Sequence, residues 1–417
     1  MKKYLPVLLI ALAMFACAGI RPMLGAQSAD PISNATAVVT VKDFDFFATG
    51  NNPVGIAVDP SGDLKVGILG LPIPGPRPST PIYTVTPEGE TSSFVNLPLA
   101  IDISACRAAR PGRDFVSPGV QQEPTPFMTG LAYHRNGDLY VGLPNCDPST
   151  HGIWRVSPNG TAQPFAAVPL SQLPKGLSLT NGGFPLYVTD LHDFTRSREQ
   201  CEAAMGTPDA CKLRIWRIDQ NGAVSVWIES TLFYGSPDSP LLHPHGVNGI
   251  VVDDGGRNVY VTVTDFGRVI RIPINSNGSA GTPQVVFENV DYWGMDGITM
   301  GPDGNLYVVI VRTDQLVALH PDGTGFEVVV QGHPLDGPTQ LTFGKGKTGP
   351  GAADLPPLYI TSGSGARVFF YSLAFAFGQG DLMNGLNQLV SFGIRTPAEV
   401  IDLKPHPSVI RVSLSTR

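Results

Sequence analysis

Six segments of the chain repeat one pattern: a residue that in five cases precedes glycine, an apolar strand, a turn built on Asp or Gly, and a second strand ending in Tyr-Val or a close equivalent. The first three are Val54-Gly55-Ile56-Ala57 leading to Leu64-Lys65-Val66, Thr129-Gly130-Leu131-Ala132 leading to Leu139-Tyr140-Val141, and Lys175-Gly176-Leu177-Ser178 leading to Leu186-Tyr187-Val188. The other three are Asn248-Gly249-Ile250-Val251 leading to Val259-Tyr260-Val261, Asp296-Gly297-Ile298-Thr299 leading to Leu306-Tyr307-Val308, and Thr339-Gln340-Leu341-Thr342 leading to Leu358-Tyr359-Ile360. Short apolar runs separated by turns such as Pro302-Asp303-Gly304-Asn305 are hairpins by composition and spacing. In the fourth unit residues 268–272 and 283–287 supply a third and a fourth strand. Four-stranded units repeated around an axis make a β-propeller, in which only short, protected strand edges remain. The chain is therefore predicted to be all-β, a six-bladed β-propeller with four-stranded blades.

Composition agrees with many tight turns: the 417 residues include 47 Gly and 39 Pro, and only 15% are charged, which argues against a helical bundle or coiled coil. The marker glycines at 55, 130, 176, 249 and 297 imply a basic period and two longer units, so two blades carry insertions. One insertion holds Cys106 and the other Cys201 and Cys211. Residues 37–49, with Val38-Val39-Thr40-Val41, are expected to close the ring as an outer strand against C-terminal strands such as Val368-Phe369-Phe370-Tyr371. That reading puts the blade core at about 37–372, followed by an extension over 373–417 in which 409–414 form a final strand.

The N-terminus reads as an export signal over residues 1–26: Lys2 and Lys3 precede an apolar run that is too short to span a bilayer as a helix. Cleavage is expected after Ala18 or Ala26, and a lipoprotein-type box ending at Cys17 leaves acylation of that cysteine as a third route. Loss of Lys2, Lys3 and Arg21, with no acidic residue, takes the net charge from −7 to about −10, so nucleic acid is not an expected partner. The protein is expected outside the cytoplasm, periplasmic or extracellular, as a monomer that meets a membrane only through Cys17. Cys106, Cys146, Cys201 and Cys211 then form an even set in an oxidising compartment, which favours two disulfides, Cys201–Cys211 and Cys106–Cys146, stapling the top-face insertions.

In each unit the residue before the marker position begins the innermost strand, so Val54, Thr129, Lys175, Asn248, Asp296 and Thr339 should converge on the axis at the top of the channel. Asp190, His192 and Asp193 follow the third unit's second strand, His243 and His245 precede Asn248, and Asp265 and Asp314 follow second strands of their own units. A His near a carboxylate can serve as general base for attack of water on an ester or lactone. No GxSxG elbow, HExxH pair or phosphate-binding Gly loop is present, so serine hydrolase, zincin and nucleotide-binding readings have no support.

The segments Val247-Asn248-Gly249-Ile250 with 258–262, and Met295-Asp296-Gly297-Ile298 with 303–308, resemble the gluconolactonase, senescence marker protein and luciferin-regenerating enzyme family of six-bladed propellers. The resemblance covers roughly residues 50–372. It implies a divalent cation, usually calcium, held by Asn248 and Asp296. The chain departs from the family at Val54, where a metal-binding Glu is usual, and at Lys175, where another Asn is usual. A Lys175–Asp296 ion pair is the alternative to the metal. Two functions follow. The first is lactone or ester hydrolysis at the channel mouth, with Asp296, His245 and Lys175 catalytic and Thr129, Asp190, His192 and Thr339 binding the small-molecule substrate. The second is non-catalytic binding of a small ligand or a protein partner on the same face.

Overall fold

The computed structural model of the chain describes residues 33–44, 51–70, 79–99, 104–105, 108, 128–145, 147–191, 202–203, 211–236, 245–346, 355–363 and 407–416. They form six four-stranded antiparallel sheets. The innermost strands are Asn51–Val58, Leu131–Tyr133, Pro174–Thr180, Val247–Val252, Met295–Met300 and Pro338–Phe343, one per sheet. Each innermost strand packs against those of the two neighbouring sheets, and the last packs against the first. The predicted six-bladed propeller is what the chain forms.

The apolar second strands look continuous because both of their faces are covered. Leu306–Ile310 is buried at every position. Successive side chains of a strand point to opposite faces, and here both faces are interfaces. Tyr307 and Val309 join a cluster with Leu341, Leu358 and Ile360 of the sixth blade, whereas Leu306, Val308 and Ile310 join Tyr260 and Val269 of the fourth. The core is correspondingly distributed, with one apolar cluster between each pair of adjacent blades.

The ring closes differently from the sequence expectation. The third strand of the sixth blade is Ser408–Thr416, which pairs with Leu358–Ser362 on one side and with the N-terminal strand Ser33–Asp43 on the other. The blade core therefore includes 408–416, and these residues are not an extension beyond it. The proposed partner at 368–371 lies outside the described residues. N- and C-terminal strands held in one sheet fasten the two ends of the chain together, with Ser33 opposite Thr416.

Close approach at the axis explains the marker glycines. A Cβ on Gly55, Gly130, Gly176, Gly249 or Gly297 would lie within 2.3–2.7 Å of the carbonyl oxygen of Thr129, Lys175, Asn248, Asp296 or Thr339 respectively, in each case the marker residue of the next blade. Five of the six inner strands also shift register at this level, as between Val247 and Ile250 or between Met295 and Ile298. Such a bulge frees main-chain groups from the ladder and re-aims the side chain.

Threonine hydroxyls on second strands take up these freed groups. Thr262 Oγ1 accepts from Gly249 N (2.9 Å) and donates to Asp296 O of the next blade (2.6 Å). Thr189 does the same between Gly176 N (2.8 Å) and Asn248 O (2.5 Å), and Thr361 between Gln340 N (3.2 Å) and Val54 O (3.0 Å). Thr262→Val keeps the shape and leaves two buried main-chain groups unpaired, so it should destabilise the protein by about 1–3 kcal/mol. Urea titration checks this: a midpoint equal to that of the wild type would mean that the hydroxyl contributes nothing across the blade junction.

Candidate functional site

The marker residues line the axis as expected: Val54, Thr129, Lys175, Asn248 and Asp296 are all buried and Thr339 is partly so. The contact that matters most joins two blades that are not neighbours. Lys175 of the third blade places Nζ 3.5 Å from Oδ1 of Asp296 of the fifth, and both side chains are at most 10% exposed. Only side chains directed inward can meet across an intervening blade. That blade supplies Asn248, 3% exposed, whose Nδ2 donates to Thr264 Oγ1 (3.1 Å). Thr264 in turn donates to Met295 O (2.9 Å), beside Asp296. One of the two Nδ2 hydrogens is thereby engaged, while Asn248 Oδ1 is buried without a hydrogen-bond partner and Asp296 Oδ1 has only the longer contact to Lys175 Nζ.

Electrostatics at this point are finely opposed. Burial pushes the Asp296 carboxyl above the ordinary carboxylate range, against the pull of the Lys175 ammonium, of positive charge at His245 and of the Asn248 amide. His245 is held by its main chain, its N–H donating to both carboxylate oxygens of Asp265 (3.2 and 3.0 Å).

Other residues expected at the mouth have structural partners. Thr129 Oγ1 bonds Pro174 O (2.8 Å) and Gly142 O (3.2 Å), tying the second blade to the third, and Thr339 Oγ1 lies 3.2 Å from Val54 O and 3.1 Å from Thr361 Oγ1 at the closing junction. Asp190 Oδ1 accepts from Leu173 N (2.8 Å), Asp265 Oδ2 from Gly246 N (2.7 Å) and Asp314 Oδ1 from Gly337 N (2.7 Å), so each of these carboxylates fastens the entry to an inner strand. His192, Asp193 and His243 lie outside the described residues, as do Cys17, Cys106, Cys146 and Cys201. Cys211 is buried and disulfide-bonded, but no pairing can be placed among the described residues.

Three groups near the axis escaped the sequence reading. Thr264 orients Asn248, and its signal is the alternation Thr262-Val263-Thr264 before Asp265. Asn52 Oδ1 and Gln340 Nε2 are buried without a hydrogen-bond partner. Gln340 stands where the other five blades have glycine, which was itself the available signal.

The fourth and fifth blades, which hold Asn248 and Asp296, decide the relationship. Residues 241–364 match the family model described as SMP-30/Gluconolactonase/LRE-like region. Over those residues the chain is similar to that family. The match takes in the fourth and fifth blades and the first two strands of the sixth, and leaves Lys175 outside it. Among solved structures, the chain is similar to the calcium-binding protein regucalcin from Agrobacterium tumefaciens, with 13% identity, 88% of this chain and 92% of that one covered, and a TM-score of 0.50. It is similar to a luciferin-regenerating enzyme, with 12% identity, coverages of 90% and 94%, and a TM-score of 0.52. It is also similar to a gluconolactonase from Xanthomonas campestris, with 13% identity, coverages of 83% and 97%, and a TM-score of 0.51. At these identities the likeness is one of fold. No curated protein matches the chain.

The SMP-30/gluconolactonase-like resemblance implied calcium at Asn248 and Asp296, and the side chains present do not fit it. Calcium takes six to eight oxygen ligands with carboxylate charge among them. Here the side chains offer one amide oxygen and one carboxylate, Val54 adds no ligand, and the Lys175 ammonium would repel the ion by several kcal/mol at an intermediate dielectric. Among the described residues no three His, Cys, Asp or Glu side chains cluster as a metal would need.

Proposed function

We propose that this gluconolactonase-like propeller hydrolyses a lactone or ester at the top of its channel, using Lys175, Asn248 and Asp296 without a metal. The observation that carries the reading is the Lys175–Asp296 contact across the fourth blade, beside the orphaned Asn248 Oδ1. The ammonium donates to the carbonyl oxygen of the substrate and stabilises the negative charge that develops there. A water donating to Asn248 Oδ1 and Asp296 attacks the acyl carbon, and Asp296 takes its proton as the new C–O bond forms. Collapse expels the alkoxide, which takes that proton, so one water is added and the carboxylate is restored. His245 acts through Asp296 by favouring its ionised form.

A lactone and aryl-ester panel tests this. Hydrolysis by the wild type is expected, with Asp296→Ala slower by about 10²–10⁴-fold. The rate should fall as pH drops through the Asp296 pKa, at a value above the ordinary carboxylate range. No turnover on any member by a folded wild type would remove the hydrolase and leave the binder. One observation favours that second reading: Lys175 and Asp296 already neutralise each other, so the mouth presents no net charge from this pair.

The proposal extends to an exported monomer, with residues 1–26 removed or Cys17 acylated, and with Cys201–Cys211 and Cys106–Cys146 disulfides over the top-face loops. Cys211 is disulfide-bonded, and its partner lies outside the described residues. Intact mass of the enzyme used in the assay reads both features; a full-length chain, or one with four free thiols, would refute them.

A further inference from the structure

We infer that Lys175 is a resident cation: its ammonium fills a position that would otherwise select a divalent metal ion, so the protein neither binds nor needs one. The site was built for positive charge. Asp296 Oδ1 and Asn248 Oδ1 are buried acceptors without hydrogen-bond partners, and one N–H of the Asn248 amide is held by Thr264. Two such buried oxygens, one of them a carboxylate's, are costly unless a donor or cation is near. The cation present is the Lys175 ammonium, 3.5 Å from Asp296 Oδ1 and hardly exposed. An ammonium differs from a metal ion in carrying its charge on a covalent tether and in offering directional N–H donors.

The inference deepens the proposed hydrolase and rests on that reading only for what the ammonium does to a substrate; the charge argument stands on the side chains alone. Its test reads calcium binding, by calorimetry and by melting with and without the ion, in the wild type, Lys175→Asn and Asp296→Asn. Wild type should show no heat of binding and no change in melting temperature. Lys175→Asn, with the charge gone and an amide oxygen added, should bind one calcium at least ~10-fold more tightly than the wild type, in the affinity range of weak extracellular sites, and should melt higher with calcium than without it.

Calcium binding by the wild type that Asp296→Asn abolishes would overturn the inference. So would a folded Lys175→Asn that binds none. If Lys175→Asn folds only when calcium is present, the inference is supported. If it folds under neither condition, the wild-type arm decides. Because no arm uses turnover, failure of the lactone panel with these results intact would refute the hydrolase and leave the resident cation standing.

Discussion

Gly249→Ala is expected to cost more than about 4 kcal/mol. An ideal Cβ on Gly249 would lie 2.3 Å from Asp296 O, 3.0 Å from Ile298 N and 3.1 Å from Gly297 Cα. All three are main-chain atoms of the next blade, so no rotamer can relieve the clash. Asp296 O cannot retreat freely either, since it is the acceptor of the Thr262 hydroxyl that also holds Gly249 N. The fourth and fifth blades must part, which breaks that relay and carries Asp296 away from Lys175.

A useful comparison is Gly304→Ala. Gly304 has a φ of +83° but open space around its Cβ, so its penalty is confined to backbone conformation, about 1 kcal/mol. Urea unfolding of the two variants measures the difference. Similar midpoints would mean that the inner strands tolerate separation, and with it that the glycines do not set how closely the blades approach the axis.

The same glycines made the fold legible. Close packing at the axis can be met in few ways, so the requirement is written as a repeated residue, and the Leu-Tyr-Val strands that follow are apolar because each is covered on both sides. Closure of the ring was less legible. Pairing Ser33 with Thr416 is a contact between the two ends of the chain, and nothing local distinguishes 408–416 from another β-prone stretch such as 368–371. The candidate site was legible in part. Lys175, Asn248 and Asp296 could be placed at one level because they share one position in the repeat. The roles of Asp190, Asp265 and Asp314 could not be read, because a carboxylate in a loop looks the same whether it faces a ligand or accepts a main-chain N–H. Thr262 was hidden for a related reason, since a threonine in a strand satisfies β-propensity and gives no sign that its hydroxyl bridges two blades.

Asp296→Asn should leave the protein at least as stable as the wild type at neutral pH while removing its hydrolysis, and Lys175→Met should do the opposite to stability. Burial raises the Asp296 carboxyl despite Lys175, which means that ionising it costs more in the folded protein than in the unfolded chain. For a group raised in this way, the stability it contributes is fully present below the unfolded pKa of about 3.8 and is lost as pH rises through the folded value. Asparagine has no such loss. The advantage of Asp296→Asn should therefore be absent in acid and appear between these two pKa values. Lys175→Met strips the counter-charge from a buried carboxylate and should cost about 3–5 kcal/mol, and adding Asp296→Asn to it should recover most of that, since removing both members of a buried pair is commonly neutral or better. The four proteins form a double-mutant cycle read by urea midpoints at several pH values. An Asp296→Asn that is clearly weaker than the wild type at neutral pH would show that the ion pair more than repays its burial. It would then be a stabilising brace across the channel, and the charge at the mouth would have no need of a catalytic reason to be there.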